Sequence, residues 1–135
     1  MIGLVVATHG TLGESLLATA ELIIGAQPSA LALSLSRGEP PDELRGRLLQ
    51  AIEQAGNGCE AVLVMTDMFG GTPSNIGMTL LEPERVELLT GVNLPMLLKF
   101  FSYRSSHRLP ALAVFLKDQA REGIMVAGEL LSRQG

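Results

Sequence analysis

Two short, unbroken runs of apolar residues constrain the fold of this 135-residue chain more than any other feature of its sequence. They are IGLVVA at residues 2–7 and AVLVM at residues 61–65. A strand with one face in water alternates apolar and polar residues, whereas a strand covered on both faces is apolar throughout. The two runs therefore predict interior strands of a parallel sheet.

Helical and strand patterns alternate along the rest of the chain. Parallel strands need crossover connections, which are right-handed almost without exception. The alternation therefore predicts an α/β fold with a doubly wound, mostly parallel sheet. Further strands are predicted at residues 30–35 and 86–89, and helices at 12–24, 42–55, from near Pro73, 96–103 and 109–121.

The last apolar segment, residues 124–131, follows Gly123 and fits either a short fifth strand or a helical tail. The pattern alone leaves both interpretations open. The length of the chain suits one hydrophobic core, and no internal repeat or linker divides it. We therefore expect a single domain over residues 1–135.

Composition excludes several classes of partner and site. The formal net charge is −4 and the ten Lys and Arg residues do not cluster, so nucleic acid is not an expected partner. No apolar run reaches the roughly 20 residues that cross a bilayer, so no membrane insertion is expected. With one cysteine, Cys59, and no secretory leader, the protein is expected in the cytoplasm. No metal-ligand cluster is apparent, so we expect neither a metal nor a cofactor.

Polar residues follow two of the predicted strands at the point where each strand ends. His9 follows the first strand and Asp67 follows the third. In open α/β sheets, ligands bind outside the carboxyl ends of the strands, where the strand order reverses. If these two strands are neighbours, as in the flavodoxin-like order, His9 and Asp67 project into one crevice. The loop after the fourth strand, residues 91–93, reaches the same edge.

The pair His9 and Asp67 fits nucleophilic chemistry on the imidazole. A histidine acts as a nucleophile only when one ring nitrogen has a free lone pair. A carboxylate that accepts the hydrogen of the other nitrogen fixes that tautomer. The sequence therefore predicts His9 as a nucleophile and Asp67 as the residue that orients it.

The loop after Asp67 is suited to binding an anion such as a phosphoryl group. The run Gly70-Gly71-Thr72-Pro73 offers backbone amides at the start of a helix, where anions bind. The hydroxyls of Thr72 and Thr8 add candidate donors. The sequence has neither a P-loop lysine nor an arginine beside the histidine. This favours transfer of the group over storage or hydrolysis.

Each of these residues also has a purely structural interpretation. A lone histidine at a strand end is often incidental, and Asp67 is also a plausible turn or helix cap. Residues 70–73 fit a tight connection equally well. The second histidine, His107, lies in a polar stretch and is expected to be a solvated loop residue.

Three motifs, in order, resemble the enzyme IIA domain of the mannose family of the bacterial phosphoenolpyruvate-dependent sugar phosphotransferase system. They are VVATHGTLGESLLATAELIIG, VLVMTDMFGGTPSNIG and LLTGVNLPMLL. In that family the histidine after the first strand accepts a phosphoryl group from the phosphocarrier protein HPr and passes it to a histidine of enzyme IIB. His9 matches that histidine, Asp67 matches the aspartate that bonds it, and residues 70–73 match the loop around the phosphoryl group.

The resemblance also implies an assembly. Family members are doubly wound α/β homodimers with the strand order 2-1-3-4, and they exchange a C-terminal strand that lies antiparallel in the partner's sheet. This implies the strand interpretation for residues 124–131. The chain ends without a fused IIB domain, so the expected acceptor is a separate IIB protein.

Two departures from the family pattern concern the phosphoryl loop. Met68 stands where some relatives have a threonine, so one side-chain donor is missing, and Thr72 replaces a serine and keeps the hydroxyl. Two other functions stay open. One is a regulatory module that is phosphorylated on the same histidine and signals through a binding partner. The other is a histidine phosphatase, a class that places an arginine directly before the histidine, where this chain has Thr8.

Overall fold

A computed structural model describes residues 1–68 and 70–134 of the chain. Within these residues, strands and helices alternate up to the fourth strand, and three helices follow it. The elements are β1 (Ile2–His9), α1 (Leu12–Ile24), β2 (Ala30–Leu35), α2 (Pro41–Ala55), β3 (Ala61–Thr66), α3 (Thr72–Met78), β4 (Val86–Thr90), α4 (Leu94–Tyr103), α5 (Leu109–Glu122) and α6 (Ala127–Gln134).

The four strands form one parallel sheet with the order β2-β1-β3-β4. The prediction of a flavodoxin-like order is thereby confirmed. Strands β1 and β3 lie in the interior of the sheet, which explains their unbroken apolar sequences. The strand order reverses between β1 and β3. The strand β2, which follows β1 in the chain, lies on one side of β1, whereas β3 lies on the other side and β4 lies beyond it.

Both faces of the sheet are covered by helices, as the doubly wound prediction requires. One face packs on α1, α4 and α5, and its core includes Leu4, Leu63 and Phe100. The other face packs on α2 and α3, and Val5 and Val64 lie in its core. Successive residues of β1 and β3 thus point to opposite faces and are buried on both. Among the described residues, no helix combines the length and apolar character needed to cross a membrane.

The C-terminal segment differs from the strand that the family resemblance implied. In this chain residues 127–134 form α6, and a fifth strand is not found among the described residues. The strand assignment for 124–131 is therefore wrong for the single chain. A strand needs hydrogen bonds from a neighbouring strand, whereas a helix satisfies its own backbone.

His107 also differs from its expected setting. It lies in the loop between α4 and α5, as expected, but its ring is half-buried and not fully solvated. The ring stacks on Phe115, with the centroids 5.4 Å apart and the planes 15° apart. Nδ1 lies 3.0 Å from the hydroxyl oxygen of Ser106. Histidine 107 is therefore part of an aromatic cluster that joins α4 to α5.

Candidate functional site

The carboxyl ends of β1 and β3 bring the two predicted site residues together. His9 is the last residue of β1, and Asp67 directly follows β3. The strands pair in parallel, with Ala7 opposite Thr66. The residues beyond this pair therefore emerge side by side at the same edge. The seven residues before His9 are buried and His9 itself is exposed, so the strand delivers an accessible imidazole from a rigid support.

Asp67 binds both the ring and the backbone of His9. The ring atom Nδ1 lies 2.8 Å from Oδ2 of Asp67. The backbone amide of His9 donates to the same oxygen at 3.1 Å. The other oxygen, Oδ1, is buried and accepts no hydrogen bond within the described part of the chain. His9 therefore holds the carboxylate in one orientation, and the carboxylate holds the ring.

The protonation state of the pair follows from these contacts. Burial raises the pKa of Asp67, but the hydrogen bonds from the His9 ring and amide and the charge of that ring outweigh burial, so the pKa lies below 3.8. An ionised carboxylate only accepts hydrogen bonds, so Nδ1 carries the shared hydrogen. In the neutral ring, the free lone pair is then on Nε2. The side chain of His9 is 52% exposed, which leaves that nitrogen open to a reaction partner.

The loop that precedes α3 lies against the His9 ring at Gly71. A β-carbon built on Gly71 would lie 3.0 Å from Cε1 and 3.7 Å from Nε2 of His9. Ser74 closes this loop on itself, because its hydroxyl accepts from the Gly70 amide at 2.9 Å and donates to the Gly71 carbonyl at 3.0 Å. The Gly70 amide is thus engaged, and the amides of Gly71 and Thr72 are the better placed donors for a group on Nε2.

Other predicted contributors have structural partners. The Thr8 side chain is buried, and its hydroxyl accepts from the Gly13 amide at 2.7 Å, so it does not face the site. In the loop after β4, Asn93 caps α4 by accepting from the Met96 amide at 3.0 Å. Its amide nitrogen donates to a carbonyl of α5 at 3.1 Å. Neither residue is available to a ligand at His9.

Two apolar residues that follow Asp67 in the sequence, Met68 and Phe69, are candidates for partner contacts. Met68 is 52% exposed, and its side chain lies near Gly71. The second candidate, Phe69, lies outside the described residues. Met68 therefore gives the rim of the site an exposed apolar surface.

Sequence reasoning missed one element of the site, the turn between β2 and α2. His9 and Thr72 line a cavity of about 500 Å³ whose other wall is this turn, including Arg37 and Glu39. Only the loops after strands one, three and four were expected at the site. The order 2-1-3-4 contains the signal for this turn, because it places β2 directly beside β1.

The sequence matches a known protein family over most of its length. The family described as PTS system fructose IIA component matches residues 3–116. The PTS system fructose-specific EIIA component of Bacillus subtilis is 31% identical over 134 residues, which cover 98% of this chain and 91% of that protein. The PTS system mannose-specific EIIAB component of Escherichia coli is 32% identical over 128 residues. This match covers 91% of this chain but only 38% of the Escherichia coli protein.

The fold has a solved counterpart. The phosphotransferase system component EIIA from Streptococcus agalactiae superimposes with a TM-score of 0.85 and 26% identity. The superposition covers 96% of this chain and 99% of the streptococcal chain. The similarity therefore extends over the sheet, both helical layers and the edge at which His9 lies.

Proposed function

The chain belongs to the PTS system fructose IIA component family, the EIIA components of the bacterial sugar phosphotransferase system, and we propose that it carries a phosphoryl group on Nε2 of His9. The observation that carries this proposal is the 2.8 Å contact between Nδ1 of His9 and Asp67. It commits one ring nitrogen to the carboxylate and leaves the other as an exposed nucleophile.

The first proposed step takes the group from the phosphohistidine of HPr. The lone pair on Nε2 of His9 attacks phosphorus, and the bond between phosphorus and the donor's ring nitrogen breaks. The bonding electrons return to the donor histidine. The hydrogen on Nδ1 stays in its bond with Asp67, whose negative charge stabilises the positive charge that develops on the ring. A second step of the same kind passes the group to a histidine of a separate IIB protein.

The phosphoryl oxygens need donors close to Nε2. The position of Gly71 close to the ring supports its backbone amide and that of Thr72 in this role, together with the Thr72 hydroxyl. Gly70 contributes through the loop that Ser74 closes. Helix α3 has only seven residues, so its dipole adds little and local amides carry the interaction. Positioning and electrostatics of this kind account for most of the catalysis of phosphoryl transfer.

The proposal includes a homodimer. The outer edge of β4 has no neighbouring strand among the described residues, and the side chains of Ile124, Met125 and Val126 are 75%, 68% and 64% exposed. A strand from a second chain, formed by residues 124–131 in place of α6, covers that edge and buries these side chains.

Labelling with phosphoenolpyruvate tests the central step. The protein is incubated with enzyme I, HPr and radiolabelled phosphoenolpyruvate, and acid-labile phosphate on the chain is measured. Wild type and His107→Ala, the variant of the only other histidine, are expected to take up label. His9→Ala is expected to take up none. An unlabelled wild type, or a labelled His9→Ala variant, overturns the proposal.

Transfer onward is tested with the labelled protein. A separate IIB protein is added after HPr is removed, and loss of label from His9 is followed together with its appearance on IIB. Transfer to IIB is the expected result. Stable label in the presence of IIB contradicts the transport role and leaves the regulatory module as the function.

A further inference from the structure

The cavity beside His9 has a charged wall that the phosphoryl-carrier mechanism does not use. It encloses about 500 Å³ between the end of β1 and the turn from β2 to α2. Its floor is apolar, formed by Leu35 and Leu44, and Thr72 lines it near the imidazole. The positive charge in this wall is that of Arg37, whose side chain is exposed at the cavity.

Strand pairing fixes the distance between this turn and His9. His9 lies opposite Leu35 in the pairing of β1 with β2. The Gly10 amide donates to the Leu35 carbonyl at 3.1 Å, and the Ser34 hydroxyl donates to the Gly10 carbonyl at 2.5 Å. Neighbouring strands lie about 5 Å apart, and each residue advances about 3.3 Å. Arg37, two residues beyond Leu35, is therefore within side-chain reach of a group on the imidazole.

The carboxylate next to Arg37 in the turn is already paired with another arginine. Glu39 accepts a hydrogen bond from Arg47 of α2 at 2.6 Å. Arg47 also donates to the Ser34 carbonyl at 3.1 Å, which holds this pair against the end of β2. For Arg37, by contrast, the described residues provide neither an ion-pair partner nor a hydrogen-bond acceptor. Its charge is thus free to meet an anion in the cavity.

We propose that Arg37 is a further catalytic residue, whose guanidinium contacts the phosphoryl oxygens when His9 is phosphorylated. This inference rests on the proposed function. Phosphorylation brings about two negative charges next to the Asp67 carboxylate, and the described charged groups around the imidazole are then Asp67, the Glu39–Arg47 pair and Arg37. A planar guanidinium suits phosphoryl oxygens because it donates two parallel hydrogen bonds. The contact stabilises phosphorylated His9 relative to the phosphohistidine of the donor.

Titration of the phosphoryl group by 31P NMR tests this contact without a docked partner. Wild type, Arg37→Gln, Arg37→Lys and Arg85→Gln are each phosphorylated with phosphoenolpyruvate, enzyme I and HPr and then purified. Arg85 is a matched control, because it precedes β4 at the opposite edge of the sheet and its loss changes the net charge equally. Removal of a cation next to the group makes it bind a proton more tightly.

The expected result is a proton affinity of the phosphoryl group that rises about three- to tenfold in Arg37→Gln. Arg37→Lys should recover most of the effect, Arg85→Gln should match wild type, and added salt should reduce the difference. Failure to phosphorylate wild type overturns the proposed function itself. If wild type is phosphorylated and Arg37→Gln titrates like Arg85→Gln, only the inference about Arg37 is overturned. Slower transfer from HPr with an unchanged titration also overturns it, since Arg37 is then a docking residue.

Discussion

One oxygen of Asp67, Oδ2, accepts hydrogen bonds from both the backbone amide and the ring Nδ1 of His9, at 3.1 and 2.8 Å. This double contact fixes the ring relative to its own strand. A rotation of the imidazole breaks the ring contact while the amide contact remains, so the carboxylate stays in place to restore it. The end of β1 and the residue after β3 thus act as one rigid unit that presents Nε2.

Loss of the Asp67 charge is predicted to make stability depend less on pH. The folded-state pKa of Asp67 is lowered, so its contacts stabilise the fold above the ordinary value of 3.8 and are lost as the pH falls through the lowered pKa. Asp67→Asn should cost about 0.5–1.5 kcal/mol at pH 7. Urea unfolding at pH values from 7 to 3 should show that the difference in unfolding free energy between wild type and Asp67→Asn becomes smaller toward pH 3. Asp118→Asn, on the exposed side of α5, controls for the loss of one carboxylate. If the difference in unfolding free energy between wild type and Asp67→Asn stays constant with pH, the prediction is contradicted.

A methyl group on Gly71 is predicted to slow phosphoryl transfer without unfolding the protein. Its β-carbon would lie 3.0 Å from Cε1 of His9 and 3.2 Å from Cγ of Met68, so the imidazole must shift. The backbone φ of −82° is open to alanine. Because small misplacements of reacting groups are costly, we expect Gly71→Ala to lower the rate of labelling about tenfold or more. Rapid-quench labelling measures this rate.

Gly70→Ala is the matched control for that variant. Gly70 has a φ of +86° and no atom within 4 Å of its β-carbon position. Alanine there strains the backbone by about 1–2 kcal/mol but does not touch the ring. Gly70→Ala should thus lower the free energy of unfolding, whereas Gly71→Ala should lower the rate of labelling. A labelling rate of Gly71→Ala equal to that of wild type would show that Gly71 does not position His9.

The sheet and the pairing of His9 with Asp67 follow from the sequence because they depend on local patterns. The unbroken apolar runs identify interior strands, and parallel strands end at one edge whatever the details of the helices. Asp67 lies two residues after the run at 61–65, and His9 lies two residues after the run at 2–7. The residues at the ends of the strands therefore predict the chemistry at that edge.

Two features of the site depend on contacts that no local sequence pattern contains. They are the proposed role of Arg37 and the hydrogen bond of the Gly70 amide to Ser74. Among the described residues Arg37 has no ion-pair partner, because Glu39 pairs with Arg47, which lies eight positions after Glu39. Gly70 bonds to Ser74 because the loop closes back on itself. The helix at the C-terminus is a similar case, since the choice between strand and helix there depends on a neighbouring strand edge.

Arg104 is predicted to be the arginine whose loss most affects stability. Its side chain is 4% exposed, and it donates to the Pro28 carbonyl at 2.8 Å. The guanidinium also lies 5.1 Å from the ring centroid of Phe101. Arg104→Ala removes these contacts and the packing of a buried side chain, which should cost about 2–4 kcal/mol in urea unfolding.

Arg108 provides the comparison four residues later. It is 76% exposed and pairs with Glu84 on the surface. Exposed ion pairs contribute about 0–1 kcal/mol, so Arg108→Ala should unfold almost like wild type. Similar losses in the two variants would mean that burial of Arg104 does not stabilise the fold.

Charges placed in the C-terminal segment are predicted to convert the proposed homodimer into monomers. Met125 and Val126 are exposed in the single chain, where aspartate is tolerated, but in an exchanged strand one of two successive side chains faces the partner's core. Burying an unpaired carboxylate there is costly. The variant Met125→Asp/Val126→Asp should therefore sediment as a monomer and unfold with less dependence on protein concentration. Leu22→Asp, at the most exposed large apolar residue of α1, should remain dimeric. If wild type itself sediments as a monomer at all concentrations, the segment remains helical and the exchange does not occur.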